Sequence, residues 1–158
     1  MANDLLVIDI KASGLCDQSY PISIGVAGAD DQTWSWLVYP LETWHQWDVE
    51  FETEHGISRD QLYAQGRDGF IICKEMNAVF SSHTLISLTA ATKKMLEKLF
   101  SDLSIRMSFD VSDITYLMEK GKVDCGKLDD AKLVFSSVSS TNAAIVRARI
   151  VSHGIMRI

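Results

Sequence analysis

Cysteine is scarce in this chain: three residues, Cys16, Cys73 and Cys125, odd in number and scattered. No two of them have the spacing of a zinc knuckle or a redox motif, so reduced thiols are expected and a disulfide scaffold is excluded. Two prolines and nine glycines in 158 residues exclude a collagen-like chain. Long apolar runs are missing too. Residues 5–8 and 70–73 are the longest, far short of the roughly 20 residues that a membrane span needs. Met1-Ala2-Asn3-Asp4 holds no basic segment leading into an apolar stretch; no secretory signal is read there, and a cytoplasmic protein without membrane contact is expected. Basic charge is in deficit, with a net charge of −6. A dominant basic footprint for nonspecific nucleic-acid binding is therefore absent. Lys93-Lys94, Lys120 with Lys122, and Arg147 with Arg149 are small clusters, explained by solvated helix faces as well as by a phosphate track. Repeats, linkers and low-complexity tracts are absent. Ser136-Ser137-Val138-Ser139-Ser140 is the one biased stretch, short enough for a helix–helix turn.

What remains is ordinary globular material. The chain is 47% hydrophobic and 23% charged, enough to build a real core in a single domain spanning residues 1–158. The first third reads as strands. Residues 5–10 are an apolar run that suits a buried central strand. Residues 21–26 alternate with period two, Gly28-Ala29-Asp30-Asp31 forms a turn, and residues 33–39 form a third strand stopped by Pro40. Short loops between them predict an antiparallel meander. After residue 56 the period changes. Ser58 caps a short helix ending near Gly66, and Asp68 caps a second helix through Phe80. Residues 84–87 suit a strand, and residues 90–100 form a strongly amphipathic helix. Residues 104–108 are expected as a strand, and 110–120, 126–136 and 140–152 as helices. The class is α/β: a mixed central sheet of about five strands, the first three antiparallel, flanked by helices.

One segment carries more than a fold. Asp9-Ile10-Lys11-Ala12-Ser13-Gly14-Leu15 resembles the first motif of the DnaQ-like DEDD 3′–5′ exonuclease superfamily, Asp-x-Glu-(Ala/Thr)-(Ser/Thr)-Gly-Leu, with Lys11 in place of the Glu. The similarity continues through residues 19–25 and 36–40, then Trp44 and Trp47. Residues 54–62 resemble the family's His-Gly-Ile segment. The resemblance is dense to about residue 80 and looser beyond. It implies a ribonuclease H-like fold and nucleic acid as the substrate class. Such enzymes use two divalent metals about 3.5–4 Å apart to stabilise the attacking and leaving oxygens. Hard cations want oxygen ligands. Residues 9 and 11 of a strand share a face, so Asp-x-Glu aims two carboxylates at one metal cluster.

Carried over position by position, the resemblance implies a degenerate site. Asp9 matches the first acid. Lys11 stands at the second. Thr92 falls where the acid of the second motif belongs. Thr141 falls at the general base and Val146 at the final acid of the last motif. One acid of four remains, so no metal and no cofactor is expected, and Asp9 is expected to pair with Lys11. The favoured reading is an exonuclease-like pseudoenzyme whose cleft binds single-stranded nucleic acid or a protein partner. One alternative is an active exonuclease with a rearranged site, holding Mg²⁺ or Mn²⁺ between Asp9 and acids of the last helices. Another is a protein–protein module on the same scaffold. None of His45, His55, His83 and His153 has metal-ligand spacing with a second ligand, and Asp110, Asp113, Asp129 and Asp130 read as caps and solvated turns. Trp34, Trp36, Trp44 and Trp47 could stack on bases, but their positions favour core packing. Gly14 and Gly56 are expected to supply backbone conformations that other residues resist. Cys16, with no basic or histidine neighbour in sequence, is expected to be inert.

Overall fold

Alternation along the first strands sorts their side chains onto two faces of one sheet. The computed structural model describes residues 5–29, 32–87 and 89–113. In order these form β1 (Leu6–Ala12), β2 (Pro21–Ala27), β3 (Thr33–Leu37), α1 (Val49–His55), α2 (Arg59–Gln65), α3 (Gly69–Phe80), β4 (Thr84–Ser87), α4 (Ala90–Asp102) and β5 (Asp110–Asp113). The sheet order is β3-β2-β1-β4-β5. β1, β2 and β3 pair antiparallel, as the meander predicts. β4 pairs parallel with β1, and β5 parallel with β4. The result is a five-stranded mixed sheet flanked by helices.

Burial follows the period of two. Ile8 lies beside Val26, and Ile10 beside Ile24. This face packs on Ile72, Met76 and Phe80 of α3 and on Leu96, Leu99 and Phe100 of α4. Phe80 sits at the centre of the aromatic packing, edge-on to Trp34 (5.1 Å), Trp36 (6.2 Å) and Phe109 (5.9 Å). Trp34 and Trp36 thus serve the core, as their shared strand face predicts. On the opposite face Val7, Ala27 and Ile86 are neighbours across the strands and are buried as well. Burial on both faces is why residues 5–8 are continuously apolar.

Local signals end most elements where expected. The Ser58 hydroxyl accepts from the Gln61 N–H at the start of α2, and the Asp68 carboxylate from the Phe70 N–H at the start of α3. Gly66 closes α2 with its N–H on the Leu62 carbonyl.

Four expectations change. Residues 104–108 are a loop rather than a strand. Ser104 has a φ of 55°, and the Ile105 N–H returns to the Phe100 carbonyl, so the end of α4 curls away from extended geometry. Residues 110–113 are a strand rather than the start of a helix, because Val111 is fully buried opposite Leu85 in the ladder with β4. Tertiary pairing here overrides a helix-like acidic start. β3 stops at Leu37, and Val38 makes a single parallel bridge to Arg67. α1, which the sequence does not announce, is a two-turn helix with no buried residue. It is closed by Asp48 at one end and by Gly56, at φ 75°, at the other. The helices expected over 126–136 and 140–152, and the remainder of 110–120, lie outside the described residues.

Candidate functional site

In open α/β sheets, ligands bind outside the carboxyl ends of the strands, where neighbouring connections diverge. Here the chain leaves β1 toward β2 on one side, while β4 lies parallel on the other. That places the divergence at the end of β1. Asp9 and Lys11 stand there on one face, opposite Gly25 and Ser23 of β2, and both are half-buried. The first motif therefore lies at the carboxyl end of β1.

The loop after β1 is held rigidly. The Ser13 N–H donates to the Tyr20 carbonyl, and the Tyr20 N–H donates to the Ser13 hydroxyl oxygen. The same hydroxyl donates to the Gln46 side-chain oxygen, and the Asp48 N–H donates to the Ser13 carbonyl. Ser19 closes the turn by accepting from the Cys16 N–H. At Gly14 the constraint is the end of the Gln46 side chain rather than a special backbone conformation. A Cβ there would lie 2.6 Å from the Gln46 side-chain nitrogen, and its φ is not positive. Leu15 projects from the loop with 85% of its surface exposed. Cys16 is exposed, with the Ser19 hydroxyl 3.6 Å from its sulfur. Cys73 is buried, and burial pushes its thiol up to about 12, which makes it a core residue.

Thr92 lies in the first turns of α4 and is nearly buried, its hydroxyl 3.5 Å from that of Thr89. α4 starts just past the carboxyl end of β4, so Thr92 and the Asp9–Lys11 pair belong to the same end of the sheet. Thr141 and Val146 lie outside the described residues. Asp113, read from the sequence as a cap, instead ends β5 at that same carboxyl edge, opposite Ser87. A period-two reading of Asp110-Val111-Ser112-Asp113 would have found it.

His55 is the neighbour that chain order did not reveal. Its ring lies edge-on to Trp47 and Phe51, and its Nδ1 accepts from the Ile57 N–H at 3.0 Å. Burial, and then the Lys11 ammonium, hold the imidazole below its ordinary value; Glu52 and Glu54 oppose them. Trp44 is buried, stacked on Tyr20 at 5.0 Å, with its indole N–H donating to Asp102. Burial raises the Tyr20 phenol, and the Arg59 charge works against that rise.

Among the described residues, no group of three or more histidine, cysteine or acidic side chains is gathered to hold a metal ion. A two-metal centre needs several oxygen ligands; among the described residues the first motif supplies one carboxylate, Asp9, with Lys11 on the same face. Among these residues, too, no helix is long and apolar enough to cross a membrane.

No family model matches the chain, and no curated protein does. Solved structures do. One is E. coli exonuclease I in complex with a dA16 oligonucleotide: 11% identity, TM-score 0.58, covering 72% of this chain and 28% of that one. Product-bound exonuclease I is similar at a TM-score of 0.59, 11% identity, and 72% and 30% coverage. Apo exonuclease I is similar at 0.59, 11%, and 72% and 29%. Over 72% of the chain the fold is similar to that of part of exonuclease I. At this identity the likeness concerns the fold alone, and the chain spans less than a third of the exonuclease I chains it matches. The similarity extends to the five-stranded mixed sheet flanked by helices.

Proposed function

We propose that the chain is an exonuclease-like pseudoenzyme. It keeps the nucleic-acid end of the scaffold and has lost metal-dependent phosphodiester hydrolysis. The observation that carries this reading is Lys11 on the same face of β1 as Asp9. Exchanging a carboxylate for an ammonium there adds two units of positive charge, which repels divalent cations and attracts a phosphate. Thr92, Thr141 and Val146 offer no carboxylate at the other positions that the resemblance marks. Exonuclease I, to part of which this fold is similar, has been seen with dA16 and dT13 oligonucleotides and in an ssDNA complex. The class of ligand proposed is therefore single-stranded nucleic acid. The reading treats residues 1–158 as one cytoplasmic domain that needs no metal.

The test is degradation of 3′-labelled single-stranded DNA and RNA with Mg²⁺ or Mn²⁺, with Asp9→Ala as the control. The expected result is no turnover above that variant; turnover abolished by Asp9→Ala overturns the reading. Lys11→Glu alone is expected to leave hydrolysis absent. Binding to a labelled oligonucleotide is expected to weaken steeply with salt. Lys11→Ala should reduce the log–log salt slope by about one phosphate contact. Absence of binding at low salt would move the question to a protein partner.

A further inference from the structure

We propose that the His55 imidazole is a proton-sensitive latch that ties the end of α1 to the turn after it and to Trp47 of the segment before it. α1 has little else to hold it. It is seven residues long and buries no side chain, so packing contributes little to its formation. Its start is tied by the Asp48 carboxylate, which accepts from the Glu50 and Phe51 N–H groups. Its end depends on Gly56, whose N–H reaches the Glu52 carbonyl, and on the His55 ring.

That ring is committed to one protonation state. Nδ1 accepts from the Ile57 N–H at 3.0 Å, so its lone pair is engaged and the neutral ring carries its proton on Nε2. Trp47 and Phe51 meet the ring edge-on, at 5.8 and 5.6 Å between centroids. Nε2 is buried and has no hydrogen-bond partner among the described residues. A second proton must go to Nδ1. It ends the Ile57 bond and places a positive charge between two aromatic rings.

The charged groups facing the ring decide the direction. From β1 the Lys11 ammonium disfavours the imidazolium. From α1 itself Glu52 and Glu54 favour it, and burial disfavours it most. On the segment before α1, Trp47 is uncharged and the Asp48 carboxylate is engaged in the helix cap. The balance lowers the proton affinity of the closed state. A histidine lowered in this way stabilises the closed state above its ordinary value of 6.5, and that stability is lost as pH falls below it. Proton uptake therefore accompanies release of α1. Release reaches the loop of residues 13–19 as well, because the Asp48 N–H bonds the Ser13 carbonyl.

The experiment is an NMR titration of the full chain from pH 8 to pH 5. It follows the His55 ring, the Ile57 amide, and exchange protection corrected for the intrinsic pH dependence of exchange. Protection of Ile57 and of α1 is expected to fall at least tenfold as the ring protonates, while α3 and α4 keep theirs. Lys11→Met should move the His55 midpoint to higher pH. In His55→Asn the amide oxygen can accept an N–H two residues on and cannot take the proton, so protection should become independent of pH. Equal Ile57 protection at pH 8 and pH 5 overturns the proposal. So does an unmoved midpoint in Lys11→Met, or an unchanged pH dependence in His55→Asn. The Lys11→Met arm leaves the ring untouched and decides the matter even if His55→Asn does not fold.

Discussion

A methyl group at Gly66 would meet the Leu62 carbonyl oxygen at 2.3 Å and the Tyr39 amide nitrogen at 2.7 Å. Both atoms are backbone and neither can swing aside. Gly66→Ala is therefore expected to cost about 1–3 kcal/mol, the usual range for forced overpacking, read as a lower urea midpoint with an unchanged slope. Gly14 differs, since the atom in its way is the end of the Gln46 side chain. Gly14→Ala should cost less than Gly66→Ala, with Gln46 turning away from the Ser13 hydroxyl. Phe80 is the opposite case, a large side chain among three other aromatic rings and almost wholly buried. Phe80→Ala should cost about 3–5 kcal/mol, measured by the same denaturation. Both glycines can be placed near turns from sequence. The atom that opposes each cannot, because it comes from elsewhere in the chain.

Helix caps mark the elements that are readable locally. Ser58→Ala removes the acceptor for the Gln61 N–H and is expected to cost about 1 kcal/mol, seen as a fall in Tm. α2 and α3 are legible in the sequence from the caps Ser58 and Asp68, and α4 from its apolar period, although Thr89 makes no side-chain cap bond. α1 is not, since a two-turn helix without a buried side chain leaves no periodic trace. β5 is not legible in the sequence, because an aspartate followed by Val111 looks like a capped helix and only β4 alongside makes it a strand. The loop of residues 104–108 is not legible for a related reason. Its apolar residues Ile105 and Met107 pack on the core from an irregular chain, and alternation alone cannot tell this from a strand.

At the scale of the whole molecule, two groups among the described residues, of opposite charge type, link stability to pH on the acid side of neutrality. Glu75 of α3 is held below its ordinary value of 4.5, first by its hydrogen bond from Arg67 and then by the Trp36 indole N–H. It ties α3 to β3 and to the turn at Arg67. A carboxylate lowered in this way stabilises the fold above 4.5 and loses that contribution as pH falls through the acid range. Glu75→Gln should lower the urea midpoint at pH 7 and flatten its decline below pH 4.5. The His55 contribution is lost earlier, as pH falls below 6.5. The two limbs are thus separable in a single series of denaturation curves.

Residue type and chain order alone settle the antiparallel start, the capped helices and the first motif, with lysine where a second acid was expected. These are local facts: a period, a cap, a run of seven residues. The parallel placement of β4 and β5, the close approach at Gly14 and the nearness of His55 to Lys11 were decided by the tertiary structure. Each depends on segments far apart in the chain that meet only when both faces of the sheet are covered. The candidate site is divided in the same way. Its chemistry is written in residues 9–15, while its neighbours, from Gln46 to His55 and Thr92, are brought to it by folding.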